Sequence, residues 1–262
     1  MINVNARDRL SDLITIFVVS PFNITNYMMT PFKKSSNCIN CNECNRKSPL
    51  FSLLNNEELA EINQDRFEAS YRKGEMIFKQ GSASSHILML TSGLSKIYLE
   101  GNNNRDLIIK IIKPIQMFGG PGIFLDGRNY YSATALTDST ICFITQQKFK
   151  NAVRSNPDFA ERFIEHINRN AIYNFGRLMD LTQKQMPGRV ADAFLYLSTE
   201  IYNSTIFNIS LTRQDLADMT NLSKESVIRI LKEFREEGIV LLNGDHVEIP
   251  NIEALEKISM IG

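Results

Sequence analysis

The sequence predicts an α+β protein that consists of a β-roll, one long helix and a C-terminal winged helix-turn-helix. Three observations support this prediction. Between about residues 70 and 149, short β-branched segments are separated by Gly, Asn, Ser and Asp, which is typical of an all-β unit. After Pro157, apolar residues recur every three or four positions, which indicates a helix. Beyond Pro187, three amphipathic segments are followed by a hairpin signal.

The composition limits the class of protein. The chain has 262 residues, which is enough for two domains with separate cores, and 43% of them are hydrophobic. Lys plus Arg number 29 and Asp plus Glu number 29, so DNA binding must depend on a local patch rather than on net charge. No apolar run reaches the roughly 18 residues that span a bilayer. We therefore predict a soluble protein that does not bind membranes. Four clustered cysteines in a chain without a credible secretion signal suit a reducing compartment, so the cytoplasm is the predicted location.

Residues 1–36 are predicted to form a tail that lies outside the folded domains. The tail contains the apolar segment "LITIFVVSPF", but acidic residues interrupt its start and no small-residue cleavage site follows it clearly. We therefore do not interpret it as a signal peptide. Because Met28 and Met29 precede the cysteines, residues 1–27 are either a loose tail or a mispredicted start. Residues 37–152 are expected to hold a cysteine-containing segment and the β-roll.

Residues 153–186 are predicted to form a dimerisation helix. The apolar stripe after Pro157 is narrow for so long a helix, and a narrow stripe is more typical of a coiled-coil seam than of a core-facing helix. A helix that packs on its own globular core is the alternative. The predicted dimer-interface residues are Phe159, Phe163, Ile167, Asn174, Leu178 and Leu181.

Residues 187–262 are predicted to form the winged helix-turn-helix. Thr212 is expected to cap the first of its two central helices, and Ser223 is expected to cap the second. Asn243-Gly244 is the two-residue signal for a type I′ hairpin, which would form the wing. The buried side of the second helix is expected to consist of Val227, Ile230, Leu231 and Phe234.

The exposed side of the second helix is predicted to enter the major groove of DNA. Arg229 can donate two hydrogen bonds to guanine, and Glu225 can accept one from cytosine. The alternative is that these two residues, four apart, form only a surface salt bridge. Lys224, Ser226 and Lys232 are expected to lie near phosphates. The full set of predicted DNA-binding residues is Thr212, Arg213, Lys224, Glu225, Ser226, Arg229 and Lys232.

Three stretches of the chain resemble the CRP/FNR family of bacterial transcription regulators. They are "KGEMIFKQG", "LTSGLSKIY" and, most specifically, "LTRQDLADMTNLSKESVIRILKEFREEGIV". The resemblance extends from about residue 38 to 255. It implies a cyclic-nucleotide-binding-like roll (jelly roll) that senses a signal, and a homodimer that reads a palindromic site in double-stranded DNA. It also implies contact with RNA polymerase. An enzyme is not expected, because the sequence has no Gly-rich phosphate loop, no elbow-type serine motif and no Cys-His pair readable as nucleophile and base.

The resemblance argues against a cyclic nucleotide as the signal. In the stretch "FGGPGIFLDGRNYYSATA", Gly120 stands where family members that bind cyclic nucleotides have a ribose-binding Glu. Tyr131 stands where they have a phosphate-binding Arg, although Ser132 and Ala133 are retained. Phosphate capture requires such a positive charge, and Arg128 is the nearby substitute. Binding of a cyclic nucleotide is therefore not expected.

The cysteines suggest a different signal. Cys38, Cys41 and Cys44 lie within seven positions, and Cys142 aligns with the fourth cluster-binding cysteine of the FNR oxygen sensors. The resemblance thus implies a [4Fe-4S] cluster on these four thiolates, and sensing of oxygen, nitric oxide or redox state. The departure from the family pattern is that the two gaps between Cys38, Cys41 and Cys44 are each of two residues, whereas the FNR sensors space their ligands more widely.

Several alternatives to the cluster stay open at this stage. Zinc accepts four thiolates as a structural site, and the cysteines would otherwise form a thiol switch. A single cysteine in a strand, such as Cys142, is more often a buried packing residue than a metal ligand. A haem on His86 ranks third, and another small molecule in the roll is a further option. A cupin-like metalloenzyme is the alternative from a different class of function. Its metal site would need several ligating histidines, and only His86 lies in the roll.

Overall fold

The observed architecture is a β-roll, a long helix and a helical C-terminal domain with a small sheet, as predicted. The structure, a computed structural model, describes residues 41–44, 46–102 and 105–261. The predicted tail and Cys38 lie outside these residues. Within the described part of the chain, no helix has the length and apolar character needed to cross a membrane.

The roll consists of two four-stranded antiparallel sheets, with the orders β1-β8-β3-β6 and β2-β7-β4-β5. Its strands are β1 (Phe67–Tyr71), β2 (Met76–Phe78), β3 (His86–Ser92), β4 (Ser95–Leu99), β5 (Leu107–Ile112), β6 (Met117–Phe118), β7 (Ser132–Ala135) and β8 (Ser139–Thr145). Side chains from both sheets form one apolar core. Ile141 and Phe143 of β8 belong to that core, and Cys142 between them belongs to a different cluster. The alternation follows from the two-residue repeat of a strand.

Helices cover the outer face of the sheet that contains β8. They are a 3-10 turn (Phe51–Leu53), α1 (Asn56–Gln64), α2 (Gln146–Ser155) and the start of α3 (Pro157–Gln183). Four phenylalanines form an aromatic cluster here, namely Phe51, Phe149, Phe159 and Phe163. The ring centroids of Phe51 and Phe159 are 5.6 Å apart, and those of Phe149 and Phe163 are 5.0 Å apart. The aromatic cluster therefore joins the segment just after the cysteines to the long helix.

The long helix α3 begins where the sequence indicates it should. Asn156 accepts a hydrogen bond from the backbone N–H of Phe159 at 3.0 Å, and Pro157 occupies the first helical position. The predicted dimer stripe requires a correction at its start, because Phe159 and Phe163 are buried in their own protomer, with exposed fractions of 0% and 8%. The first turns of the helix lie over α2 and the 3-10 turn. The apolar residues that recur every three or four positions there pack into the protomer's own core.

Further along, α3 presents a different apolar face to the outside. Of the predicted interface residues, Ile167, Asn174 and Leu178 are exposed, and Leu181 is half-buried. Five further apolar residues share this exposed side with Leu178: Ile164, Ile167, Ile172, Phe175 and Met179. Ile164, Phe175 and Leu178 lie on one stripe along the helix because their spacings of 11 and 3 residues are close to three turns and one turn.

The C-terminal domain consists of four helices and a three-stranded sheet of order β10-β11-β9. Its elements are α4 (Met186–Tyr196), a π-helical turn (Leu197–Ile201), β9 (Ile206–Asn208), α5 (Arg213–Thr220), α6 (Lys224–Glu236), β10 (Leu241–Asn243), β11 (His246–Glu248) and α7 (Ile252–Ile261). The predicted hairpin is present, but its two turn residues are Gly244 and Asp245, since Asn243 pairs with His246. Only Gly244 of these two has a positive φ, of 63°, which is the pattern of a type II′ turn rather than type I′.

The roll and the C-terminal domain share one apolar cluster. Tyr98 and Ile111 of the roll pack in it together with Phe194 of α4 and Leu216 of α5. Tyr196 also donates its hydroxyl to the backbone of Ile111 and accepts its N–H. The position of α5 is therefore determined by contacts with the roll as well as by its own domain.

Candidate nucleic-acid interface and cysteine cavity

Helices α5 and α6 form a helix-turn-helix whose caps are those predicted. Thr212 accepts a hydrogen bond from the N–H of Asp215, and the Asp215 carboxylate accepts the N–H of Thr212 at 2.8 Å. Ser223 accepts the N–H of Ser226 at 3.1 Å. Between the helices, Asn221 adopts a left-handed conformation with φ of 52°, which asparagine tolerates better than most residues. The turn is thus defined by local hydrogen bonds and one αL residue.

Helix α6 separates an apolar side from a polar side. The predicted inner residues are all buried: Val227, Ile230, Leu231 and Phe234. The outer side carries Lys224, Glu225, Ile228, Arg229 and Lys232, all exposed, with Ser226 half-buried at the edge. This side therefore presents charged side chains along a helix that can fit a DNA major groove.

Arg229 forms an ion pair, but with Glu233 and not with Glu225 as in the salt-bridge alternative. Its Nη1 lies 2.8 Å from Oε1 of Glu233, one turn further along α6, rather than near Glu225. The two side chains are 57% and 45% exposed, and exposed pairs of this kind contribute about 0.3–0.5 kcal/mol. Lys232 lies near Glu236 in the same way, at 3.7 Å. Pairs this weak leave both cations available to a stronger acceptor.

Thr212 and Arg213 have structural contacts besides any contact with DNA. The Thr212 side chain caps α5, as described above. Arg213 donates from Nη2 to the backbone oxygen of Gly244 at 3.1 Å, so it connects the start of α5 with the wing turn. Both residues hold the elements around α6 in place.

Two charged side chains outside the C-terminal domain contact α5, one on the roll and one on the long helix. Nζ of Lys96 on β4 lies 2.6 Å from Oδ1 of Asp215, and Arg177 of α3 donates to the backbone oxygen of Met219 at 2.6 Å. Burial alone would raise the pKa of Asp215, but hydrogen bonds from Lys96 and Thr212 outweigh it and the pKa is lowered. A depressed carboxylate pKa means that this contact stabilises the fold near neutral pH and is lost as the pH falls through that pKa. Both contacts reach α5, and the outer side of α6 stays exposed.

Three of the four cysteines line a single cavity. Cys41 and Cys44 come from the segment before the 3-10 turn, and Cys142 comes from β8, about 100 residues later in the chain. The rest of the lining is mainly apolar, with three cations and one carboxylate at its edge: Arg46, Lys47, Arg66 and Glu68. Side chains far apart in sequence are therefore brought to one place.

Short hydrogen-bonded turns shape the cysteine segment. The N–H of Cys44 donates to the oxygen of Cys41 at 3.4 Å, and the N–H of Lys47 donates to the oxygen of Cys44 at 3.4 Å. The N–H of Cys41 donates to Oδ1 of Asn63 on α1 at 3.2 Å. Successive turns place Cys41 and Cys44 on the same side of the segment, toward the sheet.

Cys142 is 7% exposed and lies across from Glu68 of β1 and Met89 of β3. Burial raises the pKa of its thiol to about 11, although the hydrogen bond and the charge of Arg66 act in the opposite direction. The three cysteines are not joined to one another by a disulfide. Among the described residues, no group of three or more His, Cys, Asp or Glu is arranged to hold a metal ion. Cys38 lies outside the described residues.

The residues compared above with a cyclic-nucleotide site have other partners in the roll. Tyr131 is in contact with the inter-sheet core, and its hydroxyl accepts the N–H of Gly119 at 2.8 Å. Ser132 donates from its hydroxyl to the carboxylate of Glu100 at 2.5 Å, so a negative charge stands beside the retained serine. Arg128 is exposed and donates to the backbone oxygen of Gly81 instead.

Two family descriptions match this chain. The cyclic nucleotide-binding domain matches residues 68–156, and the Crp-like helix-turn-helix domain matches residues 188–258. The chain belongs to the CRP/FNR family of transcription regulators.

Relatives and solved structures agree with this assignment. A CRP-like cAMP-activated global transcriptional regulator from Mycobacterium tuberculosis is 24% identical over 215 residues, covering 80% of this chain and 96% of the relative. The transcriptional activator protein FnrL from Cereibacter sphaeroides is 23% identical over 226 residues, covering 82% and 90%. A CRP/FNR-family regulator structure from Eubacterium rectale has a TM-score of 0.69 at 20% identity, covering 81% of this chain and 98% of that one. It supports the fold.

As a CRP/FNR regulator, the protein is a DNA-binding transcription regulator and not an enzyme. The cupin-like alternative is therefore withdrawn. The histidine that the haem alternative needed, His86, lies 2.7 Å from the hydroxyl of Ser85 and edge-on to the ring of Phe67. His166 contacts Asn170, and His246 contacts Asn208 and Glu248.

Sequence reasoning missed several residues of this CRP/FNR chain. Arg66 and Asn63 contact the cysteine-bearing segments, and no motif in the sequence marks them. Phe175 and Met179 extend the exposed face of α3, and the three-to-four repeat would have included them if the stripe had been started at Ile164 rather than Phe159. The spacing of Phe175 and Met179 is therefore a signal in the sequence. The positions of Arg66 and Asn63 depend on how distant segments pack together.

Proposed function

We propose that this regulator binds a palindromic DNA site as a homodimer and that a thiolate-bound iron–sulfur centre makes this binding depend on oxygen, nitric oxide or redox state. The centre would be held by Cys38, Cys41, Cys44 and Cys142. The observation that carries the proposal is that Cys41, Cys44 and Cys142 line one cavity. Contact with RNA polymerase stays a prediction from the family resemblance.

Base reading is assigned to the outer side of α6. Arg229 is exposed enough to leave Glu233 and donate to the O6 and N7 atoms of guanine, and Glu225 can accept from cytosine N4. Lys224 and Ser226 lie at the start of the helix, where the helix dipole also favours a phosphate. Lys232 follows on the same side and suits a second phosphate contact.

Homodimerisation is supported by the exposed face of α3. Ile164, Phe175 and Leu178 are 57%, 66% and 60% exposed, and six large apolar side chains on one helix face form a surface that monomeric proteins seldom leave uncovered. The occupant that fits is the same helix of a second copy, since the apolar face repeats at the spacing of a helix pair. A two-fold dimer would then present two α6 helices to two half-sites.

Four cysteine thiolates are the donor set that a four-iron iron–sulfur centre requires. Arg46, Lys47 and Arg66 line the cavity, and cations can offset the negative charge of bound thiolates. When bound, an iron–sulfur centre would supply the reactivity toward oxygen and nitric oxide. Zinc would use the same thiolates, so the metal itself must be measured.

The aromatic cluster offers a route from the cysteines to the dimer helix. Phe51 lines the cysteine cavity and is also in contact with the rings of Phe149 and Phe159. In addition, Asn156 donates to the backbone oxygen of Leu53 at 3.2 Å while it caps α3. A change in the cysteine segment would therefore shift the start of α3. Such a shift would favour one of two packings of the α3 helices in the dimer over the other.

A cyclic nucleotide is not part of the proposal. The name of the Mycobacterium relative assigns cAMP activation to that protein, but this chain has Tyr131 in the phosphate position and the Glu100 carboxylate bonded to Ser132. A phosphate placed there would face a carboxylate rather than an arginine.

The metal content decides the proposed sensing function. We expect protein purified without oxygen to hold stoichiometric iron and acid-labile sulfide, with a broad visible absorption that bleaches in air. Cys142→Ala is expected to lose both elements and the absorption while keeping its far-ultraviolet circular dichroism, because an alanine replaces a small buried residue. Zinc in place of iron, or no metal, would overturn the iron–sulfur centre and leave a structural zinc or a thiol switch.

Arg229→Ala tests base reading independently of the cysteines. Removing the bidentate donor is expected to cost about 1–3 kcal/mol of binding at one base pair and to relax specificity there. The matched control is Lys232→Ala, one turn along the same face, which should weaken all sequences alike and reduce the salt dependence. Fluorescence anisotropy on the cognate and single-substituted duplexes measures both. An equal loss on specific and random DNA for Arg229→Ala would remove the base-reading assignment.

A further inference from the structure

Arg66 lies between the two segments that carry the cysteines. It follows α1 and precedes β1, and its side chain is only 8% exposed. A buried guanidinium requires acceptors for its donors, so the atoms around it are informative. Two of its acceptors, Cys142 and Glu68, line the cysteine cavity.

The contacts of Arg66 connect the cysteine segment with β8. Nη1 of Arg66 donates to Sγ of Cys142 at 3.6 Å and to Oε1 of Glu68 at 3.2 Å. Nε donates to Oδ1 of Asn63 at 3.3 Å, and the same oxygen accepts the N–H of Cys41 at 3.2 Å. A continuous hydrogen-bonded path therefore runs from the backbone of Cys41 through Asn63 and Arg66 to the sulfur of Cys142.

This arrangement aims a charged donor at the sulfur of Cys142. A hydrogen bond from a guanidinium restricts the direction in which that sulfur can present itself to a metal. Glu68, which is 15% exposed, holds the fork of Arg66 in place from the neighbouring strand. Side chains that orient metal ligands in this way control affinity in other metalloproteins.

We propose that Arg66, together with Asn63, positions Cys142 and the Cys41 segment for joint ligation of a thiolate-bound metal centre. The proposal rests on the proposed function, in which these cysteines hold such a centre. Arg66 would act as a positioning residue: its donors orient the Cys142 sulfur, and its link through Asn63 holds the first cysteine segment against the sheet.

Cobalt(II) alone is the probe for this proposal, because its sulfur-to-metal absorption reports thiolate ligation without assembly of a cluster. In the full-length apo-protein, Arg66→Gln is expected to weaken cobalt binding about 10- to 100-fold and to lower the charge-transfer intensity per bound ion. Asn63→Ala, which buries no unpaired charge, is expected to weaken it about tenfold. Arg66→Lys keeps the charge without the fork and should fall between wild type and Arg66→Gln.

The controls separate positioning from a general loss of structure. Arg72→Gln changes an exposed arginine of the same region and should bind cobalt like the wild type. The intensity per bound cobalt would not change if Arg66 only stabilised the fold. Wild-type cobalt affinity and intensity in both Arg66→Gln and Asn63→Ala would overturn the proposal.

The same measurements distinguish failure of this proposal from failure of the proposed function. If the wild type binds cobalt through thiolates but holds no iron or sulfide, the iron–sulfur assignment fails and the role of Arg66 is still decided by the variants. If the wild type shows no thiolate ligation of cobalt, the joint ligation proposed here fails, and the iron and sulfide content still decides the iron–sulfur centre.

Discussion

Phe175→Glu is expected to convert the protein into a monomer and to lower its affinity for a palindromic site by at least about 10³-fold. The side chain is 66% exposed at the middle of the apolar face of α3, so a carboxylate there would have to be buried in the helix pair without a partner. A monomer engages one half-site and loses most of the difference between specific and nonspecific binding, which is about 10³–10⁷. Sedimentation equilibrium and anisotropy on full and half sites measure the two effects.

The control for this change is Met260→Glu. Met260 lies on α7 and is 75% exposed, outside the face of α3, so the variant should stay dimeric and bind DNA normally. The thermal stability of both variants should resemble the wild type, because each changes an exposed residue. A stable dimer of Phe175→Glu at micromolar concentration would exclude this face as the interface.

Phe159→Ala is expected to lower the free energy of unfolding by about 3–5 kcal/mol, which is the cost of removing a buried phenylalanine. Its ring is 0% exposed and lies 5.6 Å from Phe51 and 5.5 Å from Phe149, measured between centroids. The cavity would open beneath the 3-10 turn that follows the cysteines. We therefore also expect weaker retention of any metal centre at Cys41 and Cys44.

Urea unfolding followed by circular dichroism measures the stability change. Phe124→Ala is the matched control, since Phe124 is 47% exposed beside Phe163 and its loss should cost less than about 1 kcal/mol. A Phe159→Ala variant as stable as this control would show that the aromatic cluster does not support α3. Normal stability combined with poor metal retention would separate the two roles of the cluster.

Much of the fold could be read from local patterns. The caps at Thr212 and Ser223 and the buried side of α6 depend on residues three or four apart, and short-range hydrogen bonds and helical periodicity determine them. The wing was predicted as a hairpin from Asn243-Gly244, but its pairing register placed the turn one residue later. Register depends on the partner β9 as well as on the turn, and a two-residue signal does not contain that information.

The dimer stripe shows where periodicity stops being informative. An apolar repeat indicates a helix, but it does not show what covers the apolar side chains. A side chain that packs on its own roll and one that packs on a second copy have the same spacing. Phe159 and Leu178 both satisfy it, and burial separates them, with exposed fractions of 0% and 60%. Which side of α3 the roll covers is decided by the connection through Asn156 and by the aromatic cluster, and neither is a local feature.

The order of the elements, the helix-turn-helix and the family follow from the linear sequence, because caps, turn residues and hydrophobic periods act over a few neighbouring residues. The meeting of Cys142 with Cys41 and Cys44 does not follow from it. Cys142 faces outward from β8, away from Ile141 and Phe143, only because of how that strand pairs with β1 and β3. Arg66 and Asn63 reach the two cysteine segments for the same reason. Long-range strand pairing brings these groups together, and no spacing along the chain encodes that distance.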